Sequence, residues 1–461
     1  MDIKRLSRLS AVSLSYVILG GGIAIFVLNY LLNYTIPGIA LAILFPAISS
    51  YLTFIYIVPA VVIIRFHLSE RSKYQIVVIG LCVFLVFTSL LPIFAIPMAI
   101  TNVENQIITN YGTDYTNLDT SSMVPRPFSL WNQFNGMPGV DSEIDILLNQ
   151  EYHDNGQDKF YFDYYAPKTR PLNLPVIIKL HGGAWVLGNK GPIFNVPLSK
   201  YLAAQGYVVF DLQYGLFDIM RGAETAGLSL VASAFNSLLL TNPELKNKVL
   251  PDYNENYMIQ DQVANIGEFT KFLYKNANVY DADINNVFVM GSSAGAHMAS
   301  VVGIGYNNLK FSGVFDNRLT LRGTVLFYPP TDLKKMKSAM EEGRLGALPV
   351  LAPAFNTILD DGSLTPAQVE EEYEKYSAAY LIQEAGVEIA PIMVLHGNCD
   401  NLVPYVEQAA QFYDIARNNN RECIFITMPF LGHFFDGFNT QSCGWQVSTY
   451  FIERFIALEV S

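Results

Sequence analysis

No Asp, Glu, Lys or Arg occurs from Leu9 to Ile64, and none from Tyr74 to Val103. Nothing else in the chain limits its fold so strongly, because an apolar run of that length must be surrounded by protein or lipid rather than water. As one helix the first run would be roughly 84 Å long at 1.5 Å per residue, against a hydrocarbon core of roughly 30 Å. It has to turn back on itself. The break falls at Asn33-Tyr34-Thr35-Ile36-Pro37-Gly38. Residues 11–33 and 38–64 are therefore read as two membrane-crossing helices and residues 75–99 as a third. Runs this long, repeated three times, do not suit a cleaved leader.

Basic residues set the orientation. Lys4, Arg5 and Arg8 precede the first run, and Arg65, Arg71 and Lys73 lie between the second and third. Both clusters belong on the cytoplasmic side, which makes this a multi-pass integral membrane protein with a cytoplasmic N-terminus and with residues 100–461 outside the cytoplasm. The spans carry no carboxylate or basic group that would mark an ion path, so residues 1–100 read as an anchor. They hold six basic and two acidic residues, +4, and the chain total of −12 leaves −16 for the rest. So negative a body is a poor partner for nucleic acid. Four cysteines without CxxC or HExxH spacing suggest neither a disulfide framework nor a metal, although Cys423 and Cys443 could pair on an oxidising side.

Residues 101–140 are polar and turn-rich and read as a connector. Strands then begin. Ile144–Leu148 and Phe160–Tyr165 form a hairpin around Asp154-Asn155-Gly156, and Val176–Leu180, interrupted only by Lys179, ends in His181-Gly182-Gly183-Ala184-Trp185. From there apolar strands alternate with helical segments to the end of the chain, the pattern of a doubly wound, mostly parallel α/β sheet over residues 141–461. Two stretches break the alternation, residues 216–256 and 333–389. Both follow strand ends, where insertions become caps.

The chemistry-bearing stretch is Val287–Ser300, VFVMGSSAGAHMAS, a GxSxG turn between an apolar strand and a helix of small residues. Small neighbours let Ser293 take the sharp turn that exposes its hydroxyl. A hydroxyl is a weak nucleophile until a base removes its proton, and a buried acid has to hold that base. The strand ending at Leu395 runs into HGNCDNLVP with Asp400, and the next ends at MPFLGH with His433. Of six histidines only His433 follows that acid. Asp332 and Asp436 are rival acids. His297, one turn past Ser293, suits packing. Backbone N–H groups of Gly182, Gly183 and Ala294 are candidate donors to the oxyanion of acyl transfer.

Together HGGAW, GSSAGAH, HGNCDNLVP and the Gly432-His433 turn resemble the α/β-hydrolase fold, within it the hormone-sensitive-lipase-like esterases, and among those the subgroup with isoprenylcysteine methylesterases and arylformamidase-like enzymes. The resemblance covers about residues 140–460. It implies Ser293 as nucleophile, His433 as base and Asp400 as its orienter, with Gly182, Gly183 and Ala294 as oxyanion donors. Ala184 departs from the family's usual third glycine, and the 216–256 insertion is long for the subgroup. The expected function is a membrane-anchored serine hydrolase that cleaves small-molecule or lipid carboxylic esters through an acyl-enzyme without a cofactor. An amidase or peptidase on the same fold, or an inactive hydrolase-like ectodomain, are the alternatives. Phe430, Phe434, Phe435 and Phe438 either line an acyl pocket or pack in the core.

Overall fold

The structure is a computed structural model that describes residues 3–32, 35–67, 73–121, 123–136, 144–169, 173–191, 196–217, 256–343, 352–437 and 440–460. Its first hundred residues form three helices: α1 (Ile3–Phe26), prolonged by a π-turn Val27–Leu31, α2 (Ile36–His67) and α3 (Lys73–Tyr111). They pack on one another through Leu19, Phe45, Leu52, Tyr56, Val78, Cys82 and Leu85. Their outer faces expose Leu14, Val17, Phe54, Val58, Val77 and Val83 by more than half. Among the described residues two helical stretches, Ser10–Leu31 and Ile76–Tyr111, are long and apolar enough to cross a membrane. Three were expected. Within α2 the described apolar stretch is shorter, Ile48–Val62, and its own first turn is engaged by residues outside the helix. Tyr51 Oη lies 2.9 Å from both the Gln133 carbonyl oxygen and Gln441 Oε1.

The α3 helix does not stop where the sequence suggests a connector. It continues through polar residues to Tyr111, because Ile96, Ile100, Val103, Ile107 and Tyr111 recur at three- and four-residue spacing and give it one apolar stripe. That stripe packs into the same apolar layer as the central sheet. Gln106 completes the join. Its Nε2 donates to the Phe425 carbonyl at 2.9 Å and its Oε1 accepts the Phe425 N–H at 2.8 Å, so the helix caps an edge strand that would otherwise present unpaired groups. Two short helices, α4 (Thr113–Asn117) and α5 (Leu130–Asn135), occupy the rest of the described connector.

Among the described residues the body is an eight-stranded mixed sheet in the order β1-β2-β4-β3-β5-β6-β7-β8. β1 (Ile144–Asp154) and β2 (Lys159–Pro167) form the expected antiparallel hairpin, and β2 pairs antiparallel with β4 (Val208–Leu212). From β4 onward β3 (Leu174–Leu180), β5 (Ala282–Ser292), β6 (Leu321–Phe327), β7 (Ile392–Gly397) and β8 (Cys423–Met428) are all parallel. Strand periodicity explains why both faces are apolar. In β5, Val287 and Val289 enter one layer, and Phe288 and Met290 the other. Against the first layer lie α7 (Ile259–Asn276) and α8 (Ala294–Gly305); against the second lie α3, α6 (Val196–Ala204) and α14 (Cys443–Val460).

Lys179, the one charge in β3, is buried beside Asp211 at 3.0 Å, its register partner on β4, and a second buried pair joins Lys190 to Asp163 at 3.1 Å. A buried lysine is tolerated because it is paired. Cys423 and Cys443 are both free, and they sit in opposite layers of the sheet, which rules out the disulfide considered above. Of the two insertions, the first falls almost wholly outside the described residues. The second contains α9 (Leu333–Glu341), α10 (Ala352–Thr357), α11 (Pro366–Lys375) and α12 (Ala378–Leu381), with Phe355 stacked edge-on against Trp185 at 5.6 Å.

Because the α3 stripe belongs to the core of the sheet, Ile107→Ala is expected to destabilise the α/β body by about 2–4 kcal/mol, as a buried truncation does. Thermal melting of the full chain in detergent checks this; an unchanged midpoint would mean that α3 merely leans on the sheet.

Candidate active site

Ser293 stands between β5 and α8 with φ 55° and ψ −122°, a conformation side chains rarely adopt. The turn is this tight because α8 starts hard against the end of β3. A Cβ on Gly295 would lie 2.3 Å from the carbonyl oxygens of both Leu180 and His181, so only glycine fits there. Ser293 itself is half-buried, and its hydroxyl faces the loops that follow β7 and β8.

Those loops bring the two remaining groups. His433 Nε2 is 3.0 Å from Ser293 Oγ, and His433 Nδ1 is 2.7 Å from Asp400 Oδ2. A proton on Nδ1 held by the carboxylate leaves Nε2 free to accept from the serine hydroxyl. Asp400 is held in turn, its Oδ1 accepting the N–H groups of Leu402 and Val403 at 2.9 and 3.0 Å. Burial alone would raise its pKa. The charge of His433 and hydrogen bonds from His396 and His433 outweigh that and keep the carboxyl well below its ordinary range. A second histidine, His396 at the end of β7, faces the same carboxylate. In the structure its Nε2 lies 3.1 Å from Asp400 Oδ2 and 2.9 Å from the Val403 carbonyl. Its position four residues before Asp400, at the end of a strand, was the available signal.

The rival acids have other partners. Asp332 caps α9 by accepting the Lys335 N–H at 3.0 Å. Asp436 accepts the Tyr328 hydroxyl at 2.7 Å, and burial raises its pKa. The Tyr328 ring lies 4.3 Å from the His433 ring and braces it. Phe435 is fully buried against Phe327 and Tyr328, a packing residue rather than a pocket wall, and Phe434 is partly buried against the same layer. The side chain of Phe438 lies outside the described residues.

Gly182 lies beside Ser293, a Cβ on it falling 3.2 Å from Ser293 Cβ and 2.8 Å from the Ser292 carbonyl oxygen, and Gly183 follows in the same turn. The turn is rigidly held. Leu187 N donates to the Gly183 carbonyl at 2.8 Å, and Tyr214 Oη to the His181 carbonyl at 2.6 Å. Trp185 Nε1 donates to His297 Nδ1 at 3.1 Å while His297 Nε2 donates to the Tyr376 carbonyl at 2.6 Å, so His297 clamps this turn to α8 and to the second insertion. Ala294 is buried at the start of α8, where backbone N–H groups are not used within the helix.

The comparisons with known proteins agree with this architecture. The BD-FAE family matches residues 253–415. A probable carboxylic ester hydrolase, LipM, of Mycobacterium tuberculosis is 24% identical over 57% of this chain and 49% of its own length. The para-nitrobenzyl esterase of Bacillus subtilis is 26% identical over 37% of this chain and 31% of its own. A probable isoprenylcysteine alpha-carbonyl methylesterase of Oryza sativa is 21% identical, over 59% and 53%. The chain spans about half the length, or less, of these curated relatives. The crystal structure of esterase B from Lactobacillus rhamnosis superposes with a TM-score of 0.50 at 17% identity, covering 79% of this chain and 96% of that one.

Burial lowers the pKa of His181 and of His297 from 6.5 to about 4. Between those values the unfolded chain binds protons that the folded chain does not, so folding is fully favoured above pH 6.5 and loses stability as pH falls toward 4. Thermal melting across pH 7 to 4 should show this decline, and a flat profile would mean that neither ring is sealed from water.

Proposed function

We propose that this chain, an α/β-hydrolase of the carboxylesterase-like kind, is a membrane-anchored serine hydrolase that cleaves carboxylic esters through an acyl-enzyme. The supporting observation is the unbroken sequence of contacts from Ser293 Oγ through His433 to Asp400, at 3.0 and 2.7 Å. In this reading Ser293 Oγ attacks the acyl carbon as His433 Nε2 takes its proton, and the Asp400 carboxylate stabilises the imidazolium. The proton passes to the leaving alcohol, and water then repeats the sequence to free the acid. The N–H groups of Gly182, Gly183 and Ala294 receive the oxyanion, each worth roughly 3–4 kcal/mol of barrier.

The anchor is proposed as three crossings by α1, α2 and α3, with the N-terminus in the cytoplasm and the α/β body outside it. Exposed apolar faces on all three helices and the two basic clusters support this. Amide cleavage is the second reading, since the same three groups can acylate on an amide, and the rates on an ester and its matching amide separate the two.

Ser293→Ala is expected to lower turnover of a short p-nitrophenyl ester by about a millionfold and to abolish labelling by a fluorophosphonate probe. Persistent turnover in that variant would remove Ser293 from the reaction. Protease added to intact cells should cut beyond residue 100, and full protection would reverse the orientation.

A further inference from the structure

The loop that carries His433 rests directly on the apolar helix α2. A Cβ at Gly432 would lie 3.0 Å from the Ala42 carbonyl oxygen, which puts the backbone of α2, two turns from its start, against the residue before the histidine. Tyr30, at the end of the π-turn that prolongs α1, packs its ring on Phe45 of α2 at 5.7 Å, one turn from Ala42. Beside it Leu31 is 59% exposed. The start of α2 therefore lies at the site, with the end of α1 packed beside it and an uncovered apolar side chain at the junction.

Lower on α2 a second contact sets the level of the body. Ser50 Oγ accepts from Gln133 Nε2 at 3.1 Å, and Phe54 packs edge-on against Phe134 at 5.3 Å, fixing α5 against the helix. On α5, Leu130 and Trp131 are 55% and 73% exposed. On the membrane-anchored reading an exposed tryptophan on this helix would sit at headgroup level. From Tyr51 up to Ala42 is nine residues, roughly 13 Å along the helix axis. The site would stand that far above the level of the aromatic anchor, reached along the apolar side chains of α1 and α2.

From this placement we propose that the substrate is an uncharged, long-chain acyl ester dissolved in the bilayer that holds the helices. Its acyl chain lies along the upper α1–α2 pair and bridges the gap while its carbonyl reaches Ser293. A short chain leaves that apolar track empty, and binding energy from the remote chain is what orients the carbonyl. The body's net charge, −16 over residues 101–461 as the chain total of −12 less +4 for residues 1–100, disfavours the approach of anionic lipid. The chemistry is unchanged: the acyl carbon to alkoxy oxygen bond breaks, the alcohol leaves with the proton from His433, and one water is consumed.

This inference rests on the membrane-anchored esterase reading and is tested on the full chain in phosphatidylcholine nanodiscs. The probes are p-nitrophenyl palmitate dissolved in the disc and p-nitrophenyl acetate in the buffer. Palmitate is expected to be cleaved about tenfold faster or more at equal total concentration. Trp131→Asp and Leu31→Asp, outside the reacting groups, should each lower palmitate turnover about tenfold and leave acetate turnover unchanged. Equal rates on the two esters, or variants that lower both alike or neither, would overturn the substrate class while leaving the esterase reading in place. If wild type cleaves neither ester and Ser293 takes no fluorophosphonate, the esterase reading itself falls and this inference falls with it.

Discussion

A charged carboxylate buried beside an imidazole is the contact on which the rest of this site depends. Asp400 is 2% exposed, and a carboxylate so placed is costly unless every lone pair is matched. Here two backbone N–H groups take one oxygen, and His433 and His396 share the other. Such matching can be built only where two neighbouring parallel strands end together. β7 supplies the carboxylate loop and His396, β8 the His433 loop, and β5, two strands away, delivers Ser293 at the same edge.

The three N-terminal helices and the body are one mechanical piece. α3 begins as an apolar helix with exposed faces and ends as a core helix whose stripe lies under the sheet and whose Gln106 seals the edge of β8. A flexible tether would let the body turn freely over a membrane. A continuous helix, joined to it by contacts from α2 at Ala42, Ser50 and Tyr51, gives the site a set direction relative to the helices.

Much of this was legible because two periodicities dominate the chain. Strand alternation and the glycine turns at Gly182 and Gly291 marked the sheet edge, and chain order singled out Ser293, Asp400 and His433. What escaped notice shares a physical cause. The stripe from Ile96 to Tyr111 is interspersed with polar residues that the sheet leaves facing outward, so it read as a connector. The His297 clamp between Trp185 and Tyr376 and the pairing of Lys179 with Asp211 depend on partners distant in sequence, which no local pattern announces, whereas His396 reaches Asp400 only four residues on, from the end of a strand.

The sequence by itself determined which segments are apolar helices, which are strands and in what order the reactive groups follow, since these depend on local spacing and composition. Only the tertiary structure decided that Asp400, rather than Asp332 or Asp436, meets His433, that Cys423 and Cys443 lie in opposite layers, and that the start of α2 meets the loop before His433. Each of these depends on which strand neighbours which and on how far a side chain reaches, and those distances exist only once the sheet has closed.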